Sequence, residues 1–577
     1  MALVISANKL LNHMIKIADY LVEKVSPSKL DPIGLGQAYW KFWRGVMKNP
    51  GELMAQNLQL ASDQVKLLSY GLKKVTGQDP APVAVPEKGD RRFKDPAWNE
   101  KLMFDVLRQS YLLTSQYTMK LISSGDLDKK QQHKLDFFTR QMVDAMSPEN
   151  FAVTNPEVLK ATFDSKGGNL VKGMKNLVRD LVEGKGQLRI SMVDKSKFEV
   201  GKNIATMPGK VVFENDMMQL IQYSPTTEKV YKRPLVIYPP WINKFYILDL
   251  SPKNSFIQWA VSKGYTVFVV SWANPDEKLS HKSFEDYLNE GIFTALDAIE
   301  AATGEKEVNA IGYCIGGTLL SCALSQMAIT GDTRIHSATY FTAQVDFSEA
   351  GDLMVFIDED QLDSLDRKME KAGYLDGADM AMTFNMLRSN DLIWSFVVNN
   401  YLLGRSPAAF DLLYWNNDST RMPVKMHQYY LREMYLKNKL VEPGGITLNS
   451  IPVYLSEIKI PVFLQSSKDD HIAPYPSVYK ATHHYSGPIT FMLAGSGHIA
   501  GVINSPAMNK YYYYTNPEVP QDVEDWIESA EHHEGSWWPY WHQWLYRKSG
   551  PKVAARIPGD GDLEVIEDAP GSYVKMK

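Results

Sequence analysis

The sequence has little cysteine, no strong excess of charge and no long uninterrupted apolar run. Only Cys314 and Cys322 occur in 577 residues, which excludes a disulfide framework. No CxxC or Cys/His cluster suggests a zinc site, so neither a metal nor another cofactor is expected. Net charge is −5, and no basic excess points to nucleic acid. No apolar window approaches the roughly 18 residues of a membrane span, so no transmembrane segment is expected. The first residues, MALVISANKLLNHMIKIADYLVEKV, are interrupted by Asn8, Lys9, Asn12, His13 and Lys16. They lack the continuous apolar core of a secretory signal, which leaves a cytoplasmic protein as the expectation. The 44% of hydrophobic residues suffices for a sizeable core in a chain long enough for several domains.

Residues 1–200 read mainly as helix. Leu10–Val25 and Leu102–Ile122 carry apolar residues at helical spacing. Pro80, Pro82 and Pro86 mark a linker between Gln78 and Asp90. Beyond about residue 201 the pattern changes to short β-branched runs alternating with helical ones. Strands are expected at Leu235–Tyr238, Thr266–Trp272, Glu307–Ile311, Ala338–Phe341, Val462–Gln465 and Thr490–Leu493. Helices are expected at Phe293–Ala302 and from the turn after Ile311 to about Ile329. Such alternation predicts an α/β fold with a mostly parallel sheet covered on both faces. Between about 346 and 459 the alternation stops, and a stretch rich in Leu, Met, Tyr and Trp reads as a helical lid or cap inserted over the active site.

The informative motif is Gly312-Tyr313-Cys314-Ile315-Gly316, the G-x-S-x-G nucleophile elbow of α/β-hydrolase folds with Cys in place of Ser. A strand precedes it and a helix follows, as the elbow requires. Side chains two residues either side of the nucleophile would collide with the sharp turn, and the helix N-terminus favours a thiolate. Chance would produce G-x-C-x-G roughly once per hundred such chains. Cys322 reads as a small buried hydrophobe.

In this fold the acid and the histidine follow the nucleophile in chain order. His498, in Gly495-Ser496-Gly497-His498, sits on a glycine-rich loop after a strand, where a catalytic base belongs. His532 and His533 fall in a polar stretch expected to face solvent. After the strand PVFLQS comes Lys468-Asp469-Asp470-His471, and spacing leaves Asp469 and Asp470 both open as the triad acid. The backbone N–H of Ile315 is the expected oxyanion donor. A second donor belongs after Leu235–Tyr238; Pro239 and Pro240 have no N–H, which leaves Trp241 or Ile242.

G-Y-C-I-G-G, P-P-W-I-N-K-F-Y-I-L-D-L, T-V-F-V-V-S-W-A-N-P-D, D-D-H-I-A-P and G-S-G-H-I-A-G resemble the signature segments of class I polyhydroxyalkanoate synthases. D-R-R-F-K-D-P-A-W, F-F-T-R-Q and G-S-W-W-P extend the likeness across roughly residues 88–575. The resemblance implies Cys314, Asp470 and His498 as the triad, choosing Asp470 over Asp469. It implies polymerisation of (R)-3-hydroxyacyl-CoA, with short-chain monomers such as 3-hydroxybutyryl-CoA, and release of CoA. It also implies a homodimer on cytoplasmic polymer granules, with granule-associated proteins as partners. The domain plan is then a helical N-terminal domain, 1–200, with a variable region over 1–87. A catalytic domain, 201–577, carries the insertion. Two readings compete: a hydrolase on the same triad, such as a thioesterase or polyester depolymerase, and a non-catalytic granule coat using Trp537, Trp538 and Trp541 for surface binding.

Overall fold

The computed structural model describes residues 35–577 apart from 49 and 126. The expected helix Leu10–Val25 therefore lies outside the described residues. The chain divides into two compact units. One comprises the described residues up to Met192 together with Asp358–Ser364 and Thr383–Ala408; the other comprises Val193–Ile357, Leu365–Met382 and Ala409–Lys577.

The first unit is helical. Its main helices are α1 (Leu35–Lys48), α2 (Pro50–Val75), α3 (Leu102–Ser123), α4 (Lys129–Ala145), α5 (Pro156–Asp164) and α6 (Gly168–Glu183). Local chemistry starts two of them. The Asp128 carboxylate accepts from Gln131 N–H ahead of α4, and Asn155 accepts from the N–H groups of Glu157 and Val158, with Pro156 at the first position of α5. The α2–α3 core holds Leu67, Tyr70, Phe93, Trp98 and Phe104. The fully buried Asp180 ties α6 to distant segments: it accepts from Ser191 N–H and Oγ–H and, at 2.7 Å, from Tyr401 Oη–H.

The second unit is built on one sheet of eleven strands. In chain order these are β1 (Gly209–Glu214), β2 (Met218–Tyr223), β3 (Leu235–Tyr238), β4 (Val267–Trp272), β5 (Val308–Tyr313), β6 (Ile335–Phe341), β7 (Val462–Ser467), β8 (Ile489–Ala494), β9 (Tyr512–Thr515), β10 (Glu531–Glu534) and β11 (Glu567–Asp568). Across the sheet they run β10-β9-β8-β7-β6-β5-β3-β4-β2-β1-β11. The six strands from β8 to β4 are parallel. The remaining strands add antiparallel pairs at both edges. β4 and β5 are buried at every residue, so they read as continuous apolar runs rather than as alternation. Each of the six strands expected from sequence is present, within about three residues at each end. The antiparallel edge strands were not anticipated, and the Tyr511–Tyr514 run contributes three residues to β9.

Helices α7 (Phe256–Ser262), α8 (Thr294–Thr303), α9 (Ile315–Thr330) and α10 (Trp538–Tyr546) belong to this unit. Trp537, Trp538 and Trp541 are fully buried around Phe256 and Phe341. Their indole N–H groups donate to Gly501 O, Val502 O and Thr339 Oγ1. They are core residues and offer no surface for binding. The insertion is helical, with helices at Glu359–Ala372 and Gly377–Leu387, and its Tyr430–Leu436 stretch is a π-helix.

Candidate active site

β5 runs directly into Cys314, whose backbone adopts φ 51°, ψ −126° before α9 begins. This is the sparsely populated conformation a nucleophile elbow demands. The turn is held by Cys314 N–H donating to Phe341 O at 2.9 Å, and by Cys314 O accepting from Gly317 and Thr318 N–H. The flanking glycines are required by contact. A Cβ on Gly312 would lie 2.4 Å from Gly317 Cα, and one on Gly316 would lie 2.2 Å from Tyr238 O. The second contact seats the N-terminus of α9 against the end of β3, beside Pro239.

His498 and Asp470 are brought together from the ends of β8 and β7. His498 Nδ1 lies 2.7 Å from Asp470 Oδ2, and both side chains are buried. Asp470 Oδ1 accepts from Ile472 N–H at 2.8 Å and Ala473 N–H at 2.9 Å, so the carboxylate is held from both oxygens. Asp469 is exposed and contacts Ser496 only through its backbone N–H. With Nδ1–H committed to Asp470, Nε2 is left for the sulfur, and Cys314 is within hydrogen-bonding reach of the ring. Burial disfavours a charge on His498, but the Asp470 carboxylate and the neighbouring Cys314 outweigh it and push the imidazole up to about 10.

Cys314 is half-buried, whereas Cys322 is fully buried within α9 and burial pushes its thiol up to about 12. Of the other histidines, His532 is exposed. His533 departs from expectation: it is half-buried, and its Nε2 lies 2.7 Å from Thr515 Oγ1, because β10 pairs with β9 and turns that ring inward.

Among the described residues, the backbone N–H groups of Ile315 and Trp241 form no hydrogen bond to the protein. Three tyrosines to which the sequence reading gave no role also border the site. Tyr313 Oη–H donates to His498 O at 3.3 Å. Tyr430 and Tyr435 are buried together against Phe347 near Cys314, and burial holds both phenols above the usual tyrosine range. No spacing signal links them to a cysteine more than a hundred positions earlier.

Residues 89–260 match the family model described as the N-terminus of poly-beta-hydroxybutyrate polymerase, and residues 241–504 match that of the alpha/beta hydrolase fold. The poly(3-hydroxyalkanoate) polymerase of Methylorubrum extorquens is 49% identical over 533 residues, covering 92% of this chain and 88% of that protein. The polymerase subunit PhaC of Rhizobium meliloti is 48% identical, with 93% and 87% covered. That of Cupriavidus necator is 41% identical, with 85% and 83% covered. The chain belongs to the poly(3-hydroxyalkanoate) polymerase family. It is thus an acyltransferase with an α/β-hydrolase core. The match to the alpha/beta hydrolase fold agrees with the mostly parallel centre of the sheet.

Proposed function

We propose that this chain polymerises (R)-3-hydroxyacyl-CoA into polyester through a thioester on Cys314. The 2.7 Å contact between His498 and Asp470, beside a cysteine on the elbow, carries the reading. His498 Nε2 takes the Cys314 proton, and the thiolate attacks the thioester carbonyl of the substrate. The Ile315 and Trp241 N–H groups receive the oxyanion. The bond to the CoA sulfur breaks, and His498 returns its proton to the leaving thiolate.

Exchange of one thioester for another is nearly balanced in energy, which suits a cysteine better than a serine. The 3-hydroxyl of an incoming hydroxyacyl-CoA next attacks the Cys314 thioester. Its proton passes to His498, and Cys314 leaves as thiolate. The lengthened acyl-CoA then returns its chain to Cys314 and releases CoA. Asp470 holds the imidazole in the needed tautomer and stabilises the imidazolium.

Water competes with the hydroxyl at the same acyl-enzyme. The buried Tyr430, Tyr435 and Phe347 beside the sulfur support a dry site, and the insertion over 346–459 acts as the lid. Short-chain monomers such as 3-hydroxybutyryl-CoA, a homodimer and growth on cytoplasmic granules complete the proposal, and these rest on the family.

The test supplies 3-hydroxybutyryl-CoA to purified protein and follows CoA release together with its product. Insoluble polyester is the expected result. Free 3-hydroxybutyrate in equal amount to CoA would make the protein a hydrolase on the same residues.

A further inference from the structure

The Trp241–Lys244 loop carries the proposed oxyanion donor, and the Trp241 indole packs against Trp272 and Tyr287. A small cavity lies there, lined by Trp241, Lys244, Ser271, Thr420 and Val574. Trp241 Nε1 and Ser271 Oγ, both buried, find no hydrogen-bond partner among the described residues. Polar contacts add to this packing, and they converge on one carboxylate.

Asp418 is buried and accepts from three side chains. Lys244 Nζ and Lys577 Nζ each lie 3.0 Å from its Oδ1, and Tyr246 Oη–H donates to its Oδ2 at 2.9 Å. Lys244 Nζ also donates to Met576 O at 2.9 Å, and Arg421 donates to Lys577 O at 3.2 Å. Backbone contacts reinforce the same junction. Trp415 Nε1–H donates to Lys244 O at 2.6 Å, Thr420 N–H donates to Ile242 O at 3.1 Å, and Thr420 Oγ1–H donates to Trp241 O. Three stretches far apart in sequence, 241–246, 415–421 and 574–577, are thus joined through Asp418.

We propose that Asp418 is a positioning residue that, through Lys244, Tyr246 and Lys577, clamps the Trp241–Lys244 loop so that the Trp241 N–H faces the acyl oxygen. This rests on the proposed acylation of Cys314, in which the Trp241 N–H receives the oxyanion. The clamp acts only on steps that pass through a tetrahedral oxyanion. It has no part in reactions of the sulfur that lack one, such as alkylation by iodoacetamide.

Asp418→Asn and Tyr246→Phe are compared with the unaltered protein in two measurements. One is single-turnover CoA release from 3-hydroxybutyryl-CoA, and the other is the rate of Cys314 alkylation by iodoacetamide. Asp418→Asn is expected to slow acylation by about tenfold or more, the scale of a displaced oxyanion donor, with alkylation unchanged. Tyr246→Phe keeps the buried ring and removes one hydrogen bond; it is expected to slow acylation several-fold, and it remains informative if Asp418→Asn fails to fold.

Unchanged acylation in folded variants would overturn the proposal. So would a parallel fall in alkylation, which marks a general disturbance of Cys314 and His498. Failure of the underlying reading looks different, because Cys314→Ala would then still turn over.

Discussion

At Cys314 the backbone and the side chain have separate tasks. The strained φ sets the sulfur on the turn between β5 and α9, and in the proposed mechanism the sulfur passes its proton to His498. Cys314→Ala is expected to abolish polymer formation, and Cys314→Ser to leave it severely impaired, because a hydroxyl ionises far less readily. Cys322→Ala should keep activity and lose only about 1 kcal/mol of stability, as an ordinary buried truncation. The acid is tested the same way. Asp469→Asn should be mild, since that side chain is exposed, and Asp470→Asn severe. Chain elongation should suffer more than the first acylation, because a 3-hydroxyl is a far weaker acid than a thiol and needs the stronger base. Comparing single-turnover CoA release with steady-state polymer formation measures the difference. Loss of the carboxylate also removes the leading upward influence on His498, while burial still pushes downward. The ring, which holds its proton up to about 10, should then lose it at a clearly lower pH, with only the neighbouring Cys314 left to oppose burial. Ring-nitrogen NMR titration of both proteins reads that fall directly.

At the scale of elements, the elbow works because β3, β5 and α9 approach without side chains between them. Gly316→Ala would drive a Cβ to 2.2 Å from Tyr238 O, which is backbone and cannot rotate away. The expected cost is roughly 1–3 kcal/mol, with loss of acylation if the proposed oxyanion donors at Ile315 and Trp241 are forced apart. Gly51→Ala, in α2 with nothing within 4 Å, is the contrasting change and should be neutral or stabilising by about 0.5–1 kcal/mol. Thermal unfolding of the two variants separates steric need from helix propensity. The aromatic residues around α10 belong to the same scale. Trp538→Ala is expected to cost about 3–5 kcal/mol, since the indole is fully buried and bonded to Val502 O.

For the whole molecule, the helical unit has its own internal dependence on the insertion. Asp180 holds Tyr401, Asn400 Nδ2 donates to Ser191 O, and Val158 shares a small core with Val398 and Leu403. Deleting residues 1–192 strips Thr383–Ala408 of these partners. Polymer formation by the truncated chain should fall strongly, and limited proteolysis should cut within 383–408 where the intact protein resists. Full activity with an unchanged cleavage pattern would mean that the insertion holds its shape without the helices. Among the described residues no helix is long and apolar enough to cross a membrane.

The parallel centre of the sheet was legible because each buried strand is a short apolar run bounded by turn residues, and the tight turn at Cys314 because glycine spacing reports a steric need. Chain order and strand ends narrowed the acid to two adjacent aspartates. Only the tertiary structure puts Asp470 against His498 and Asp469 in solvent. The edge strands were hidden because pairing, not composition, defines them: Glu531–Glu534 is a strand only because Tyr512–Thr515 lies beside it. The burial of the tryptophan cluster, the closeness of Tyr430 and Tyr435 to the sulfur, and the junction at Asp418 follow from contacts between segments a hundred or more positions apart. A linear sequence records local geometry and periodicity, but the energy of such contacts exists only once the chain has closed the loops between them.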